Sequence, residues 1–440
     1  MYNILVIHAA DRYPMRATVR EHLYSFQRYS GHNCFYLNLG ACDLPSYIAS
    51  VPFDLIVFHT TFLSTRWTPE LFAQLRAKAL PLQRMSAVKA ALPQDEFIHT
   101  DVLSKFINEF NVDYVFTVAP ESEWRNVYRD VDFDRTTFVQ ILTGYLDEKK
   151  VQRIERLARR AATRRIDIGY RAWRAAPWLG RHGLLKVQIA EVIREQAVRV
   201  GLATDISTSD EATLLGDAWY EFLLRCKYTI GVEGGASILD RDGTIKLKTE
   251  EFLRSQPDAS FNEIERACFP GLDGSFQLKA LSPRNLEACA TRTCQILIEG
   301  QYSGVLTAGE HYIELKRDFS NLDQVLELVR TDTERDRITE NAYRDVVASG
   351  RYTYKKLVQT IIERCLDGSV VRQPTLARRA FAHFACRRMR VTDARVLFRM
   401  WLRNLRGRLR LRSRLRDTAS RALPKALFAL FLQRRRTRNV

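Results

Sequence analysis

Three short stretches carry side chains of the kind that handle phosphate and sugar oxygens. Arg171 leaves an apolar strand, and after a loop containing Pro177-Trp178-Leu179-Gly180, Lys186 is placed at the start of the next helix. Two fixed positive charges beside a helix N-terminus suit a diphosphate leaving group. Exposed Arg and Lys are ordinarily just solvated, so the pair alone does not define a site. Glu233-Gly234-Gly235-Ala236-Ser237 follows a buried strand directly. Its two glycines permit close backbone approach to a ligand and Ser237 can donate to a phosphate or sugar oxygen, although the same run also reads as a plain turn. Glu287 precedes the strand CQILI, which runs into Glu299-Gly300-Gln301-Tyr302-Ser303-Gly304. A carboxylate near the top of such a sheet suits paired ribose or sugar hydroxyls, and the turn Tyr302-Ser303-Gly304 can pass under a nucleotide.

The first half offers groups for proton transfer. Asp95 and Glu96 follow a strand and His59 ends another, so either carboxylate or the imidazole is a candidate general base for an acceptor hydroxyl. A histidine at a strand end, here His59 or His8, is also commonly structural. Asp240-Arg241-Asp242 has the D-x-D spacing that chelates a metal on a diphosphate, but the spacing recurs at Asp130, Asp132 and Asp134. A turn closed by Gly243 is preferred there, and no metal ligand set is assigned. Neither G-x-G-x-x-G after the first strand, nor a P-loop, nor G-x-S-x-G occurs, which disfavours ordinary dinucleotide, triphosphate and serine-hydrolase sites.

The elements that must hold these groups alternate. Strands are expected at Asn3–His8, Cys34–Leu39, Asp54–His59, Ser86–Leu92 and Asp113–Val118, with helices at Arg16–Tyr29, Pro69–Lys78 and Asp101–Phe110 between them. A basic helical stretch, Asp147–Arg165, leads to a second series: strands Ile166–Tyr170, Thr229–Val232, Cys294–Ile298 and Tyr312–Leu315, and helices Lys186–Arg199, Asn285–Ala290, Leu322–Arg330, Asp332–Ala348 and Thr353–Leu366. Nearly continuous apolar strands alternating with helices predict parallel sheets covered on both faces. The fold class is therefore α/β, two Rossmann-like doubly wound domains, 1–150 and 151–368, with a basic helical extension at 369–440.

Composition agrees. The 440 residues are 46% hydrophobic, enough for two cores. The net charge of +17 is uneven: from Val371 to Val440 there are 21 Lys and Arg against Asp393 and Asp417, a net +19. The rest holds 47 bases and 49 acids, a net −2. Eight scattered cysteines without C-x-x-C fit a reduced cytosolic compartment and give no zinc site. No apolar run is long enough to span a bilayer, and a secretory signal is not expected. In the extension, Phe398, Trp401, Leu402, Leu405 and Leu409 form an apolar stripe among arginines, and Ala426–Leu432 (ALFALFL) follows Pro424. This pattern suits an anionic membrane surface, met through residues 390–435, better than nucleic acid. A helical contact with another protein, or disorder, is the competing reading.

The run from Pro283 to Tyr354, with Glu287-Ala288 ahead of CQILI and a late "NAYRDVV" helix, resembles the donor domain of GT-B-fold glycosyltransferases of group 1. "IDIGYRA", "PWLG", "GVEGGAS" and "PQDE" are similar to glycosyltransferases of surface-polysaccharide clusters. The resemblance covers about residues 160–366 well and the first half more loosely. It implies a nucleotide-sugar donor held by Arg171, Lys186, Glu233, Gly234, Gly235, Ser237, Glu287, Tyr302, Ser303 and Gly304, and a glycan or lipid-linked acceptor. Together with the basic tail, the expectation is a cytoplasmic protein peripheral on the inner face of the membrane, with no cofactor and no obligatory divalent metal, Asp240 and Asp242 being the one weak pair. The group's first glutamate falls on Lys279, so E-x7-E is not intact and Glu233 or Arg284 stands in that region. The alternative function is a non-catalytic two-domain binding protein tethered by its basic tail.

Overall fold

The computed structural model describes residues 1–160, 163–367 and 376–410. The first unit is a six-stranded sheet of β1 (Asn3–His8), β2 (Asn33–Asn38), β3 (Leu55–Phe58), β4 (Val88–Ala91), β5 (Tyr114–Thr117) and β6 (Thr137–Gln140). Its order is β2-β1-β3-β4-β5-β6, and every neighbouring pair is parallel. Because side chains alternate along a strand, each strand feeds two cores. Leu5, Ile7, Ile56 and Phe58 go to one face, while Ile4, Val6, Leu55 and Val57 go to the other. Both faces being covered, these strands have no polar side, which is why they read as apolar runs.

The second unit contains β7 (Ile166–Arg171), β8 (Thr204–Ser207), β9 (Cys226–Gly231), a hairpin of β10 (Gly234–Ala236) with β11 (Leu278–Ala280), then β12 (Cys294–Ile298) and β13 (Ile313–Leu315). The main sheet runs β13-β12-β9-β7-β8, again all parallel. The fold is thus α/β, two Rossmann-like doubly wound units plus a basic helical extension. Helix Tyr354–Leu366 lies with the first sheet, where Tyr354, Leu357, Val358 and Ile361 pack beside Ile4 and Val6. The chain therefore crosses back from the second unit.

The expected elements differ from the observed ones at the edges and at caps. β6 and β8 carry no apolar run because they are edge strands of half-buried or exposed residues. The expected helix Arg16–Tyr29 breaks at Tyr24 into Ala17–Leu23 and Ser25–Tyr29. The helix expected to open at Lys186 opens at Arg181, after Gly180 at φ +82. Lys186 consequently sits in the second turn, away from the helix's free N–H groups.

The two units are closed on each other. Trp178 of the second meets Trp67 of the first with ring centres 5.8 Å apart, and Phe97 at 6.1 Å. Ile98 pairs with Asp240 in a parallel bridge, with His99 N–H donating to the Asp240 carbonyl at 2.8 Å. Lys150, between the units in sequence, is buried between Glu21 at 2.8 Å and Glu287 at 2.9 Å.

Helix Leu376–Arg410 corrects the expectation that its apolar stripe faces a lipid interface. Ala385, Cys386 and Met389 join the core around Phe35 and Leu37. Val396, Leu397, Phe398 and Met400 pack with Tyr13, Met15 and Tyr24, and Trp401 and Leu402 lie against the same cluster. Polar bonds pin it: Cys386 to the Cys34 carbonyl at 3.3 Å, Tyr24 to the Asp393 carboxylate at 3.1 Å, and Asn404 to the Tyr13 carbonyl at 2.8 Å. The helix covers β2, an edge strand whose unpaired backbone needs a neighbour. Arg387, Arg388, Arg390, Arg395, Arg399 and Arg403 remain exposed. Leu405 is half-buried, whereas the side chain of Leu409 and the segment Ala426–Leu432 lie outside the described residues. Among those residues no helix is long and apolar enough to cross a membrane.

Candidate functional site

In each sheet one strand starts the chain off in two directions. β1 lies between β2 and β3, and β7 between β8 and β9. At such a point the loops leaving the carboxyl ends part and open a crevice, the usual place for a ligand in a doubly wound sheet. Both crevices are present and face each other. A cavity of about 230 Å³ lies at the β7/β9 point, walled by Tyr170, Arg171, Gly231 and Gly234. A larger one of about 620 Å³ extends across to His59, Gln94 and Asp95 beyond β3 and β4. Trp173, Lys186, Gly234 and Ser282 line both, so they form one cleft between the units.

Cations dominate its smaller end. Lys186 reaches it half-buried, with its ammonium 5.4 Å from the Trp173 ring centre. Among the described residues no hydrogen bond or ion pair engages that ammonium. Burial foremost, then the charge of Arg284, pushes its pKa down, against a pull upward from Asp95. Arg284 lines the same cavity, lies over Trp219 at 5.1 Å, and donates to the Arg171 carbonyl. Arg16, from the loop after β1, reaches it from the first unit. Arg171 is present but committed: its fork binds the Asp205 carboxylate at 2.7 Å and the carbonyls of Tyr170 and Asp205, leaving only a buried Nε without a partner. Lys186 is half-buried while Arg284 and Arg16 are exposed, and like charges gathered at one cavity repel, which an anionic ligand relieves.

The first unit contributes Asp95, exposed in the cleft in a left-handed conformation at φ +54. The surrounding protein pushes its carboxyl pKa up, opposed by Arg66 and Lys186. Its loop is rigid because Arg66, wholly buried, donates to four carbonyls: Leu63 at 3.1 Å, Gln94 at 2.8 Å, Asp95 at 2.6 Å and Ile98 at 3.2 Å. His59 also borders the cleft. It is fully buried, its Nδ1 accepting from Thr61 N–H at 3.1 Å and its Nε2 facing His22 Nδ1 at 2.7 Å. Burial first, then His22 and His8, holds its pKa well below the usual range. A neutral ring with the proton on Nε2 satisfies both contacts, so His59 caps the turn that follows β3. Glu96 points away into the first core, accepting from Thr117, Tyr128 and, at 3.1 Å, Val118 N–H. Burial pushes its pKa up to about 7.

The remaining sequence candidates fall into two sets. Gly234 lies on the cleft wall beside Gly235, where φ is +124 and a Cβ would meet the Leu278 carbonyl oxygen at 1.9 Å. Only glycine lets β10 pair this closely with β11. Ser237, Glu233, Glu287, Tyr302, Ser303 and Gly304 are not brought to the cleft wall. Ser237 Oγ accepts from His182 N–H at 3.3 Å and donates to Asp273 at 2.7 Å, while Asp273 accepts from Arg181 N–H at 3.1 Å. The N-terminus of helix Arg181–Arg199 is therefore already occupied by a carboxylate of this chain. Glu233 is buried and accepts from Tyr302 N–H at 2.7 Å, fixing the turn after β12. Tyr302 itself is fully buried and donates to the Ile298 carbonyl at 2.6 Å. Glu287 is buried against Lys150, Trp219 Nε1 at 2.9 Å and Tyr220 at 3.4 Å. Ser303 accepts from Leu281 N–H at 3.1 Å and borders a separate cavity with Tyr145 and Lys356. Gly304, at φ +69, has open space where a side chain would stand.

Asp240 and Asp242 behave as a turn. Asp240 accepts from the N–H groups of Gly243, Ile245 and Lys246 at 3.0, 3.2 and 2.8 Å, and Asp242 from Thr244 at 2.9 Å, capping helix Thr244–Ser255. Among the described residues no three His, Cys, Asp or Glu side chains gather as a metal site. Sequence reasoning missed Arg16, Arg66, Trp173 and Asp273. Asp273 and Arg66 act through contacts far away in the chain, for which sequence carries no local signal.

No family model matches this chain, and a search of curated protein sequences finds none that match. Among solved structures it is similar to Anabaena HepE in complex with UDP-glucose, at TM-score 0.43 and 10% identity over 83% of this chain and 99% of that one. A glycosyltransferase from Rickettsia africae is similar at TM-score 0.43 and 11% identity, covering 84% and 99%. Sucrose-phosphate synthase from Thermosynechococcus elongatus is similar at TM-score 0.43 and 11% identity, covering 83% and 98%.

Proposed function

We propose that this chain is a glycosyltransferase that binds a nucleotide-sugar in the cleft and passes the sugar to a hydroxyl acceptor. The observation that carries the reading is Lys186, a half-buried ammonium that no hydrogen bond or ion pair engages among the described residues, standing where the two cavities merge and facing the side from which Asp95 projects. The diphosphate lies against Lys186 and Arg284, with Arg16 closing over it from the first unit. As the acceptor oxygen forms its bond to the anomeric carbon, the bond from that carbon to the diphosphate breaks and the electron pair leaves on the phosphate oxygen. Asp95 takes the acceptor proton, a role suited to a carboxylate whose pKa is raised above its ordinary range by burial. Leaving-group charge is met by protein cations in this reading, since Asp240 and Asp242 are already bonded to backbone N–H groups.

The finer reading is transfer onto a cell-surface polysaccharide or glycolipid precursor by a cytoplasmic protein resting on an anionic membrane face. It draws on the row of exposed arginines along helix Leu376–Arg410. Titrating the purified full chain calorimetrically with UDP-, GDP- and other sugar nucleotides tests the reading, followed by assay of slow donor hydrolysis. Binding of at least one donor is expected, with Asp95→Asn lowering kcat about a hundredfold and leaving donor affinity within twofold. Folded protein that binds none overturns it. Tight binding without turnover in any variant favours the non-catalytic module, in which Glu287 stays locked against Lys150.

A further inference from the structure

A third cavity, of about 330 Å³, lies at the carboxyl edge of the first sheet, where the chain leaves β1 at 9–11 and β2 at 40–41. Its apolar wall is Leu71 and Leu75 from helix Pro69–Ala79, facing Val396 and Met400 from helix Leu376–Arg410. Arg399 and Arg403 stand at its rim, four residues apart on one helical face. Both are exposed, and among the described residues neither has a hydrogen bond or an ion pair. The one carboxylate there, Asp11, is exposed and lies 3.5 Å from Arg12. Like charges four apart on a helix repel, and a bound anion removes that repulsion. A cavity with an apolar floor and a paired guanidinium rim matches a phosphate joined to a hydrocarbon chain better than a bare sugar.

Its position ties it to the cleft. The loop 9–16 begins in this cavity and ends on Arg16, which lines the small cation-rich cavity of the second unit. The same helix that supplies Arg399 and Arg403 also holds the middle of that loop, Asn404 donating to the Tyr13 carbonyl at 2.8 Å. We infer that this cavity is an acceptor subsite for a phosphate or diphosphate attached to an apolar chain. Arg399 and Arg403 take the phosphate oxygens, and Leu71, Leu75, Val396 and Met400 take the first apolar segment. The inference deepens the glycosyltransferase reading and rests on it, naming the acceptor as lipid-linked and anionic.

The test uses the full chain and a soluble probe, farnesyl phosphate below its aggregation concentration, read by calorimetry and by tryptophan fluorescence. Farnesol and inorganic phosphate serve as controls. Farnesyl phosphate is expected to bind at least tenfold more tightly than either control, and more weakly as salt is raised. The variant Arg399→Gln/Arg403→Gln, altered only at exposed positions, loses that binding at least tenfold while UDP affinity stays within twofold. Leu71→Glu, at a side chain 41% exposed, loses it as well, through the apolar wall instead of the charge. Equal binding of farnesyl phosphate by the double variant overturns the inference. So does inorganic phosphate binding as tightly as farnesyl phosphate, which marks a general anion patch, or arginine-independent adhesion to anionic phospholipid vesicles without saturable farnesyl phosphate binding. If farnesyl phosphate fails while sugar nucleotides bind, the subsite falls alone. If sugar nucleotides fail while farnesyl phosphate binds in an arginine-dependent way, the glycosyltransferase reading falls and a lipid-phosphate site remains.

Discussion

Replacing Lys186 by methionine separates a residue that waits for a ligand from one that holds the fold. Methionine keeps an apolar stem against Trp173 and deletes only the ammonium. In the free protein no hydrogen bond or ion pair among the described residues engages that charge, and burial together with Arg284 disfavours it against the weaker pull of Asp95. Removing it therefore leaves stability unchanged or slightly raised. In the donor complex the balance reverses. A unit charge about 4 Å from a diphosphate oxygen, at an effective dielectric of about 20, is worth roughly 4 kcal/mol before desolvation. A net hydrogen bond to a charged group is worth about 1.5–3 kcal/mol. Taking about 2–3 kcal/mol as the loss, affinity for the donor drops roughly 30- to 150-fold. The pH dependence has a definite sign. Since the free-state pKa of Lys186 is lowered, donor affinity of the native chain falls as pH climbs through that lowered value, and Lys186→Met loses this limb. Calorimetric titration with the best donor from pH 6 to 10, paired with urea unfolding of the free protein, reads both halves. Unchanged affinity in a folded variant refutes the reasoning. A stability loss above about 1 kcal/mol does so too, because it means the ammonium already has a native contact.

Two further outcomes check the scaffold around the cleft. Lys150→Met strands Glu21 and Glu287 as buried carboxylates without their cation, so urea unfolding is expected to show a loss of about 3–5 kcal/mol. Adding Glu21→Gln and Glu287→Gln recovers most of it, and a loss under about 1 kcal/mol for the single variant contradicts the buried triad. For Glu96, the folded carboxyl titrates at about 7 against an ordinary 4.5, so the native state holds its proton longer than the unfolded chain. That contribution is fully present below about pH 4.5 and is lost as pH rises to about 7, a change of roughly 3 kcal/mol. Glu96→Gln, which gives up the acceptor for Val118 N–H and so starts less stable, flattens that slope in stability measured from pH 4.5 to 7.5. An unchanged slope refutes the assignment.

What could be read from the residues alone follows from which interactions are local. Central strands such as Asn3–His8 and Cys294–Ile298 are apolar throughout because two faces are covered, and that signature needs no knowledge of partners. The edge strand Thr204–Ser207 has no covered face to advertise it. Arg171, Gly234, Gly235, His59 and Asp95 stand at strand and loop ends by type and position, and the fold gathers them around one cleft with Lys186, which lies inside a helix. Glu233 and Glu287 were equally conspicuous, but their partners decide their place. Glu233 is held by Tyr302, 69 residues on, and Glu287 by Lys150, 137 residues back. Pairings at that range arise from packing, and spacing along the chain does not encode them. The start of helix Arg181–Arg199 was misplaced for a related reason: the cap that defines it is Asp273, 92 residues away from Arg181.

The extension makes the same point about charge. Its periodicity correctly announces a helix with one apolar face, yet a stripe says only that a face is buried and is silent on what buries it. Here the first unit does: Cys386 and Met389 join its sheet core, while Val396, Leu397 and Phe398 pack on Tyr13, Met15 and Tyr24 of the loop and helix after β1. Outward, over its described length, the helix offers a row of arginines interspersed with the exposed apolar side chains of Phe381, Phe384 and Val391. Attraction of those arginines to an anionic surface is worth about 1 kcal/mol per base close to the surface and decays within a Debye length of about 8 Å at physiological salt. The two sides of one helix thereby differ in kind: the apolar side seals an edge strand and holds the loop that ends at Arg16, while the other side presents arginines to solvent beside the first unit.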